Sequence, residues 1–154
     1  MEDNQPTNST TSLSVALEEL AAYINDSKLG YNKAAADAVS PDHQTVYRQL
    51  TEQRTSFLDE LNGLIRRHGG QTEKSRVIQD ELYRQWIDTQ ANPIGGDDET
   101  LVLASLKGEE WTLKAYDQVL GSQELPSSEQ QLLVSQKEEI QAAQTQLQGM
   151  RLSS

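Results

Sequence analysis

The sequence contains no cysteine, so it can form no disulfide, no thiolate nucleophile and no cysteine-based zinc or iron–sulfur site. It also has no apolar run near the roughly 20 residues that cross a bilayer as a helix. The polar N-terminal stretch MEDNQPTNSTTS lacks the apolar core of a signal peptide. We therefore expect a cytoplasmic protein that does not enter a membrane.

Basic residues are scarce: 13 Lys and Arg stand against 24 Asp and Glu, which gives a net charge of -11. A field of this sign repels phosphate backbones, and no basic cluster is larger than the pair Arg66-Arg67. We expect no binding to nucleic acid and no attraction to an acidic membrane surface. A chaperone for basic proteins stays open, and its binding would weaken as salt rises.

Apolar residues recur at alternating intervals of four and three along four long segments, which is typical of helices packed at a shallow angle. The predicted seam residues are Leu13, Leu17, Leu20, Ile24, Ser27, Tyr31, Ala34 and Ala38 in the first helix; Val46, Leu50, Phe57, Leu61, Leu64 and Ile65 in the second; Val102, Leu106, Glu109, Leu113, Tyr116 and Leu120 in the third; and Leu133, Gln136, Ile140, Ala143, Leu147 and Met150 in the fourth.

Capping and stop signals set the expected boundaries of these helices. The first helix should start at Thr11 or Ser12 and stop at Ser40-Pro41, and the second should start at Ser40-Pro41 and stop at Gly69-Gly70. The third should start at Asp97-Asp98-Glu99 and stop at Gly121, and a Ser127–Gln130 capping box should start the fourth.

The pattern predicts an all-α protein, an antiparallel up-and-down four-helix bundle with a short extra helix between helices 2 and 3. Long helices of similar length joined by short connections favour antiparallel neighbours. The extra helix would carry Trp86 and fail near Asn92-Pro93. Residues 1–11 show no apolar periodicity, so we expect a disordered tail there and the bundle domain over residues 12–151.

Bundles of this size often hold a di-iron or di-manganese centre, which needs Glu-x-x-His turns from two helices. Here Ser40 stands three residues before His43, and Ile65 three residues before His68. The two histidines are 25 positions apart on one helix, or about 37 Å. They cannot share a centre, and we expect His43 to be solvated and His68 to complete the helix C-cap.

Carboxylates leave an alternative, because Asp26, Glu60 and Glu109 lie nearest the seams. Glu109 occupies a seam position, and a buried carboxylate needs a cation or a hydrogen-bonding partner. Arg54, beside the apolar line of the second helix, is available, so we predict a buried Arg54–Glu109 pair in preference to a metal. An Arg54–Glu60 pair, or a Glu109 that turns outward, stays open. We expect no cofactor and no catalytic residue.

Several segments taken together resemble a bacterial ferritin-like family that is labelled as a domain of unknown function. The resemblance spans about residues 13–150. It is carried by residues 24–31 (INDSKLGY), residues 54–61 (RTSFLDEL) with the later Gly69-Gly70, the segment around Trp86, and residues 107–110 (KGEE) leading to Ala115-Tyr116. It implies a rubrerythrin-like bundle, an architecture shared by stress-associated proteins, and it carries no established activity.

This chain departs from the family pattern at three positions. It has Gln53 and Leu106 where the family commonly has glutamate, and Gln144 where histidine is usual. If those positions hold a metal in relatives, only Glu60 and Glu109 remain here, and amides are poor ligands for transition metals. We expect Gln53 and Gln136 to set helix register by hydrogen bonding.

These features predict a non-enzymatic ferritin-like module with a structural, interaction or stress-related role and a degenerate metal site. We expect it to form a homodimer through an exposed helix face, or to bind another protein. The alternative is a carboxylate-bridged iron or manganese oxidase, or a metal-storage protein.

Overall fold

Four long helices make up the part of the chain that the computed structural model describes, residues 12–72 and 97–152. They are α1 (Leu13–Asp37), α2 (Pro41–Arg67), α3 (Asp98–Leu120) and α4 (Ser127–Leu152). No residue in these two ranges lies in a strand, and the predicted all-α class is confirmed to that extent. The predicted tail 1–11 and the predicted extra helix around Trp86 lie outside the described residues.

The first three helices begin at the caps that the sequence predicts. Ser12, Ser40 and Asp97 each accept a hydrogen bond from the backbone N–H three residues further on, at 3.3, 3.3 and 2.8 Å. Such caps satisfy amides that have no partner inside the helix. The fourth helix begins at Ser127 itself.

The end of α2 is a Schellman motif built on two glycines. Gly69 has φ +78°, a left-handed conformation that glycine adopts without a Cβ clash. The Gly70 N–H donates to the Ile65 carbonyl at 2.9 Å. A Cβ on Gly70 would lie 2.7 Å from Ile65 Cγ2 and 2.6 Å from Glu18 Oε2. Residues with a Cβ could therefore adopt this backbone conformation at the end of α2 only with strain.

Two pairs of helices lie diagonally opposite each other in the bundle: α1 with α4, and α2 with α3. The α1 helix packs against α2 and α3, while α4 packs against α3 and, less extensively, against α2. The remaining pairs, α1 with α4 and α2 with α3, make fewer contacts. Side chains on α2 and α3 can therefore meet only across the centre of the bundle.

In the described part of the chain, the core is divided into two apolar clusters with polar residues between them. One cluster includes Leu17, Leu20, Ile24, Phe57, Leu61, Tyr116, Val119 and Leu133. The other includes Tyr31, Ala34, Tyr47, Leu50, Val102, Leu106 and Leu147. Along α1, α2 and α3 the boundary falls at Ser27, Arg54 and Glu109, one polar residue from each helix.

The predicted seams of α1 and α4 are confirmed at every apolar position, since all of these side chains are buried. The predicted face of α2 is confirmed at its other five positions, which are all buried, and was wrong at Val46. Val46 is only partly buried, while Tyr47 is fully buried. The buried stripe runs four-three through His43, Tyr47, Leu50, Arg54, Phe57, Leu61 and Leu64. Arg54 therefore belongs to the seam itself.

No helix within the two described ranges is both long and apolar enough to span a bilayer.

Candidate functional site

A bidentate ion pair between Arg54 and Glu109 occupies the centre of the bundle. Arg54 Nη1 donates to Glu109 Oε1 at 2.8 Å, and Arg54 Nη2 donates to Glu109 Oε2 at 2.6 Å. The Arg54 side chain is 0% exposed and that of Glu109 is 1% exposed. The two residues that the sequence analysis pairs are thus brought together across the α2–α3 diagonal.

The position of Arg54 follows from its step along α2. It lies four residues after Leu50 and three before Phe57, both buried, so the four-three repeat directs it inward. The neighbouring Gln53, which was expected to set helix register by hydrogen bonding, is only partly buried. The signal that places Arg54 in the seam was present in the spacing of its apolar neighbours.

The guanidinium of Arg54 is satisfied on several sides. Its Nε donates to Gln53 Oε1 at 3.0 Å, and its Nη1 also donates to Ser27 Oγ at 3.3 Å. The group lies over the Tyr31 ring, 5.2 Å from the ring centroid, a cation–π distance. These contacts hold the planar fork in the orientation that bidentate pairing requires.

The ion pair keeps Arg54 charged despite its burial. Desolvation by burial would lower the pKa of Arg54, but the adjacent Glu109 carboxylate raises it, and the net pKa lies above its already high ordinary value. A buried arginine without this partner would be strongly destabilising. The positive charge at the centre of the bundle is therefore carried permanently by the Arg54 side chain.

A second polar network runs from the buried Tyr116 on α3 through the buried Gln136 on α4 to the exposed Glu60 on α2. The Tyr116 hydroxyl donates to Gln136 Oε1 at 2.7 Å, and Gln136 Nε2 donates to Glu60 Oε1 at 2.8 Å. Burial is the main cause that raises the pKa of Tyr116 well above its ordinary value, so the hydroxyl keeps its proton. Gln136 was expected to set register by hydrogen bonding. The sequence indicated neither of its partners.

The predicted alternative ligands do not assemble into a metal site. Both oxygens of Glu109 accept from Arg54, while Glu60 is exposed and hydrogen-bonded to Gln136. Asp26 is partly buried on α1. Within residues 12–72 and 97–152, no group of three or more histidine or acidic side chains could hold a metal ion. A guanidinium, two amides and a serine hydroxyl do not fit a di-iron or di-manganese centre.

The two histidines lie at opposite ends of α2. His43 is only 7% exposed, so the expectation of a solvated side chain was wrong. Its ring makes an edge contact with Tyr47, and its Nδ1 lies 3.8 Å from Asp98 Oδ2. The His68 backbone N–H caps α2 as expected, and its Nε2 lies 2.7 Å from Glu129 Oε1 on α4. His43 lies four residues before Tyr47, on the same face of α2, and this spacing was the signal for its burial that was missed.

Comparisons with known proteins bear on the first three helices. The family model described as Domain of unknown function (DUF2383) matches residues 12–122, a range that holds Arg54 and Glu109 and ends before α4. Searches among curated proteins and among solved structures gave no match.

Proposed function

The chain belongs to the family described as a domain of unknown function (DUF2383), whose model covers more than half of its length, and on this premise we propose a non-enzymatic, ferritin-like structural or interaction module. In this proposal a side-chain cation takes the central position that ferritin-like bundles use for metal ions. The metal site is degenerate, and the role of the centre is to fix how the helices pack.

The Arg54–Glu109 pair is the observation that carries this proposal. Both carboxylate oxygens already accept a charge-assisted hydrogen bond from Arg54, so metal ions bridged by Glu109 would have to displace the guanidinium or lie beside its positive charge. Burying an ion pair is weak evidence for stability as such, because desolvation offsets the attraction. A role in selecting one helix register, as buried polar groups have in coiled coils, fits the geometry better.

Contacts at the helix ends support the ferritin-like arrangement. Arg151 Nε, near the end of α4, lies 3.4 Å from Glu99 Oε2 in the first turn of α3. His68 at the end of α2 contacts Glu129 in the first turn of α4. Side-by-side helices would thus run antiparallel, while α2 and α3, across the diagonal, would run in the same direction. That order matches bundles with one long crossover better than a simple up-and-down chain.

Metal content tests the proposal directly. The full chain, purified without chelators, should contain far less than one iron or manganese per chain by elemental analysis. The alternative is a carboxylate-bridged oxidase or metal-storage protein that uses Glu60, Glu109 and Asp26. About two metal ions per chain, lost on Glu109→Ala, would establish that alternative and overturn the proposal.

Chemical rescue tests whether Arg54 fills a cation position. Arg54→Ala leaves the Glu109 carboxylate facing a vacated space of guanidinium size, so low-millimolar guanidinium should raise the melting temperature of this variant. Arg48→Ala is the matched control, because Arg48 lies on the exposed side of the same helix and its loss opens no buried site. Equal responses of the two variants would count against the proposal.

Self-association through an exposed helix face is part of the same proposal, as are a cytoplasmic location and a role in bacterial stress. Among the residues that the structure describes, four large apolar side chains are exposed, which supports a protein contact: Leu29, Val39, Leu103 and Val134. Sedimentation equilibrium of the full chain should give a dimer, and Leu29→Glu with Leu103→Glu should weaken it. Gln141→Glu, at an exposed position of α4, is the control. A monomer at about 100 µM would contradict dimer formation.

A further inference from the structure

A titratable pair of side chains occupies the place where the end of α2 meets the start of α4. His68 lies four residues after the buried Leu64, and Glu129 lies four residues before the buried Leu133. Both therefore continue the four-three repeat of their helices and are directed toward the interior. The neighbouring seam positions carry leucine, so a histidine and a glutamate at these two positions need a separate explanation.

The two side chains contact each other directly. His68 Nε2 lies 2.7 Å from Glu129 Oε1. Glu129 is buried, whereas 23% of the His68 side chain is exposed. The carboxylate is thus withdrawn from water and depends on its partners, while the imidazole remains open enough to exchange a proton with solvent.

The helix ends favour opposite charges on this pair. His68 is the C-cap of α2, where backbone carbonyls without a helical partner attract positive charge. Glu129 lies in the first turn of α4, where backbone N–H groups attract negative charge. A protonated His68 therefore gains from the carboxylate and from the end of its own helix, whereas a neutral imidazole keeps only the hydrogen bond that Nε2–H donates.

Charged groups from every helix lie at this end of the bundle. They are Arg66 and Arg67 on α2, Glu18 on α1, Asp117 on α3, Lys137 on α4 and Glu124 in the connection between α3 and α4. The arginines oppose a further positive charge, but 67% of the Arg67 side chain is exposed, so water screens it. Carboxylate, ammonium and guanidinium groups do not ordinarily change charge between about pH 5.5 and about pH 8.5. Among the described groups at this end, His68 is the one that titrates in that range.

The position of the pair gives its charge a mechanical effect. Among the side-by-side helices, α2 and α4 make the slightest contact. Glu129 is bound there by His68 and, at 3.5 Å, by Arg67 Nη1. Residues 121–128, which precede it, are exposed or only partly buried. The start of α4 therefore relies on Glu129 for its attachment to α2.

We propose that His68 and Glu129 form a pH-sensitive latch between the end of α2 and the start of α4. While His68 is protonated, the ion pair holds the first turn of α4 against α2. When the ring loses its proton, the latch weakens and the start of α4 opens more often. This inference goes beyond the proposed structural role and does not depend on it, because a metal-free bundle would stand with or without the latch.

Urea unfolding of the full chain at about pH 5.5 and about pH 8.5 tests the latch, because these values lie on either side of the ordinary histidine value of about 6.5. The stability supplied by a protonated partner is present below that value and is lost as the pH rises above it. His68→Gln keeps a donor but carries no charge, so it should raise the unfolding equilibrium constant about fivefold at the lower pH. At the higher pH the change should be less than about twofold.

Two further variants separate the proton from the contact. In a Glu129→Gln background, adding His68→Gln should have the same effect at both pH values. Arg67→Gln is the matched control, because it removes a cation from the same carboxylate but one that does not titrate in this range. Its effect should therefore be equal at the two pH values.

Hydrogen exchange locates the change. The amides of residues 131–134 donate to the carbonyls of the first turn of α4 if the helix is intact there. At the lower pH they should exchange about fivefold faster in His68→Gln than in the wild type, and at the higher pH at nearly equal rates. Because the two proteins are compared at the same pH, their intrinsic exchange rates cancel.

Equal effects of His68→Gln at the two pH values would overturn the inference, as would a pH dependence of that substitution that survives in the Glu129→Gln background. A pH dependence of the same size for Arg67→Gln would also count against the latch, because it would show that this whole end of the bundle responds to pH. If Glu129→Gln fails to fold, the comparison of His68→Gln with Arg67→Gln at the two pH values still decides the matter.

Discussion

The hydroxyl of Tyr116 on α3 donates to the side-chain oxygen of Gln136 on α4 at 2.7 Å, with both side chains buried. The amide nitrogen of the same glutamine donates to Glu60 on α2 at 2.8 Å. One amide therefore joins three helices and leaves neither of its polar atoms unpaired. This relationship makes the contribution of Gln136 separable by mutation.

Gln136→Leu should lower the free energy of unfolding by about 1–3 kcal/mol, because the buried hydroxyl of Tyr116 loses its acceptor. Urea unfolding at neutral pH measures the effect. In the Gln136→Leu background, Tyr116→Phe should cost less than it does in the wild type, since the unpaired hydroxyl is then removed. Additive costs for the two substitutions would show that the hydrogen bond contributes nothing.

Arg54→Met should destabilise the fold by about 3–5 kcal/mol, because it leaves the Glu109 carboxylate buried without a partner. The double variant Arg54→Met with Glu109→Leu should recover most of that loss or exceed wild-type stability, since an apolar pair of similar volume needs no desolvation. Urea unfolding of all four members of the cycle gives the coupling. A double variant no more stable than Arg54→Met would contradict this account.

The acid sensitivity of the α1–α2 turn should depend on Asp98. Its carboxylate accepts the Val39 N–H and the Ser40 N–H, each at 2.8 Å. The first of these bonds is the main cause that lowers the pKa of Asp98 below 3.8. A lowered folded-state pKa stabilises the fold above the unfolded pKa, and that stabilisation is lost as the pH falls through the folded value.

Asp98→Asn should therefore reduce stability by about 0.5–1 kcal/mol at pH 7, a value discounted for the screening expected near the surface. The difference from wild type should be constant down to about pH 4 and shrink below it. Urea unfolding across this range checks the trend. Asp59→Asn, an exposed acidic position on α2, is the control. A difference that grows on acidification would refute the assignment.

Replacing glycine by alanine should raise stability at two helical positions and lower it at the left-handed cap of α2. At Gly30 and Gly63 a Cβ meets no atom within 4 Å, so alanine should stabilise each helix by about 0.5–1 kcal/mol. At Gly69 the φ of +78° disfavours a Cβ, so alanine should destabilise by about 1 kcal/mol or more. Thermal melts of the three variants compare them. Stabilisation at Gly69 would contradict the left-handed cap.

Much of the fold could be predicted from the sequence because helix signals are local. Ser12, Ser40 and Asp97 cap their helices through atoms only three residues away. The seam of α4 repeats without interruption, and its phase is therefore unambiguous. On α2 most of the face was predicted correctly, but Val46 was chosen in place of its buried neighbour Tyr47, and Arg54 was placed beside the stripe because of its charge.

The candidate site was partly predictable for the same reason. Glu109 occupies an apolar seam, which favoured a buried cation near it, and Arg54 was available on α2. The sequence left an Arg54–Glu60 pair and an outward-turning Glu109 open. The contacts of Gln136 were not predictable, because they depend on how three helices are aligned along their axes. The burial of His43 was missed because the start of the α2 stripe was assigned to Val46 and not to Tyr47, whose ring contacts His43.

The polar boundary between the two apolar clusters has a consequence for how the protein is made. The cation at its centre is the Arg54 side chain, so it is present as soon as the polypeptide is synthesised, and no metal ion has to be inserted afterwards. It can be neither chelated nor exchanged for a competing ion, and a change of redox state does not alter its charge. A bundle assembled around Arg54 would keep the same interior whether the cell is replete with iron or starved of it.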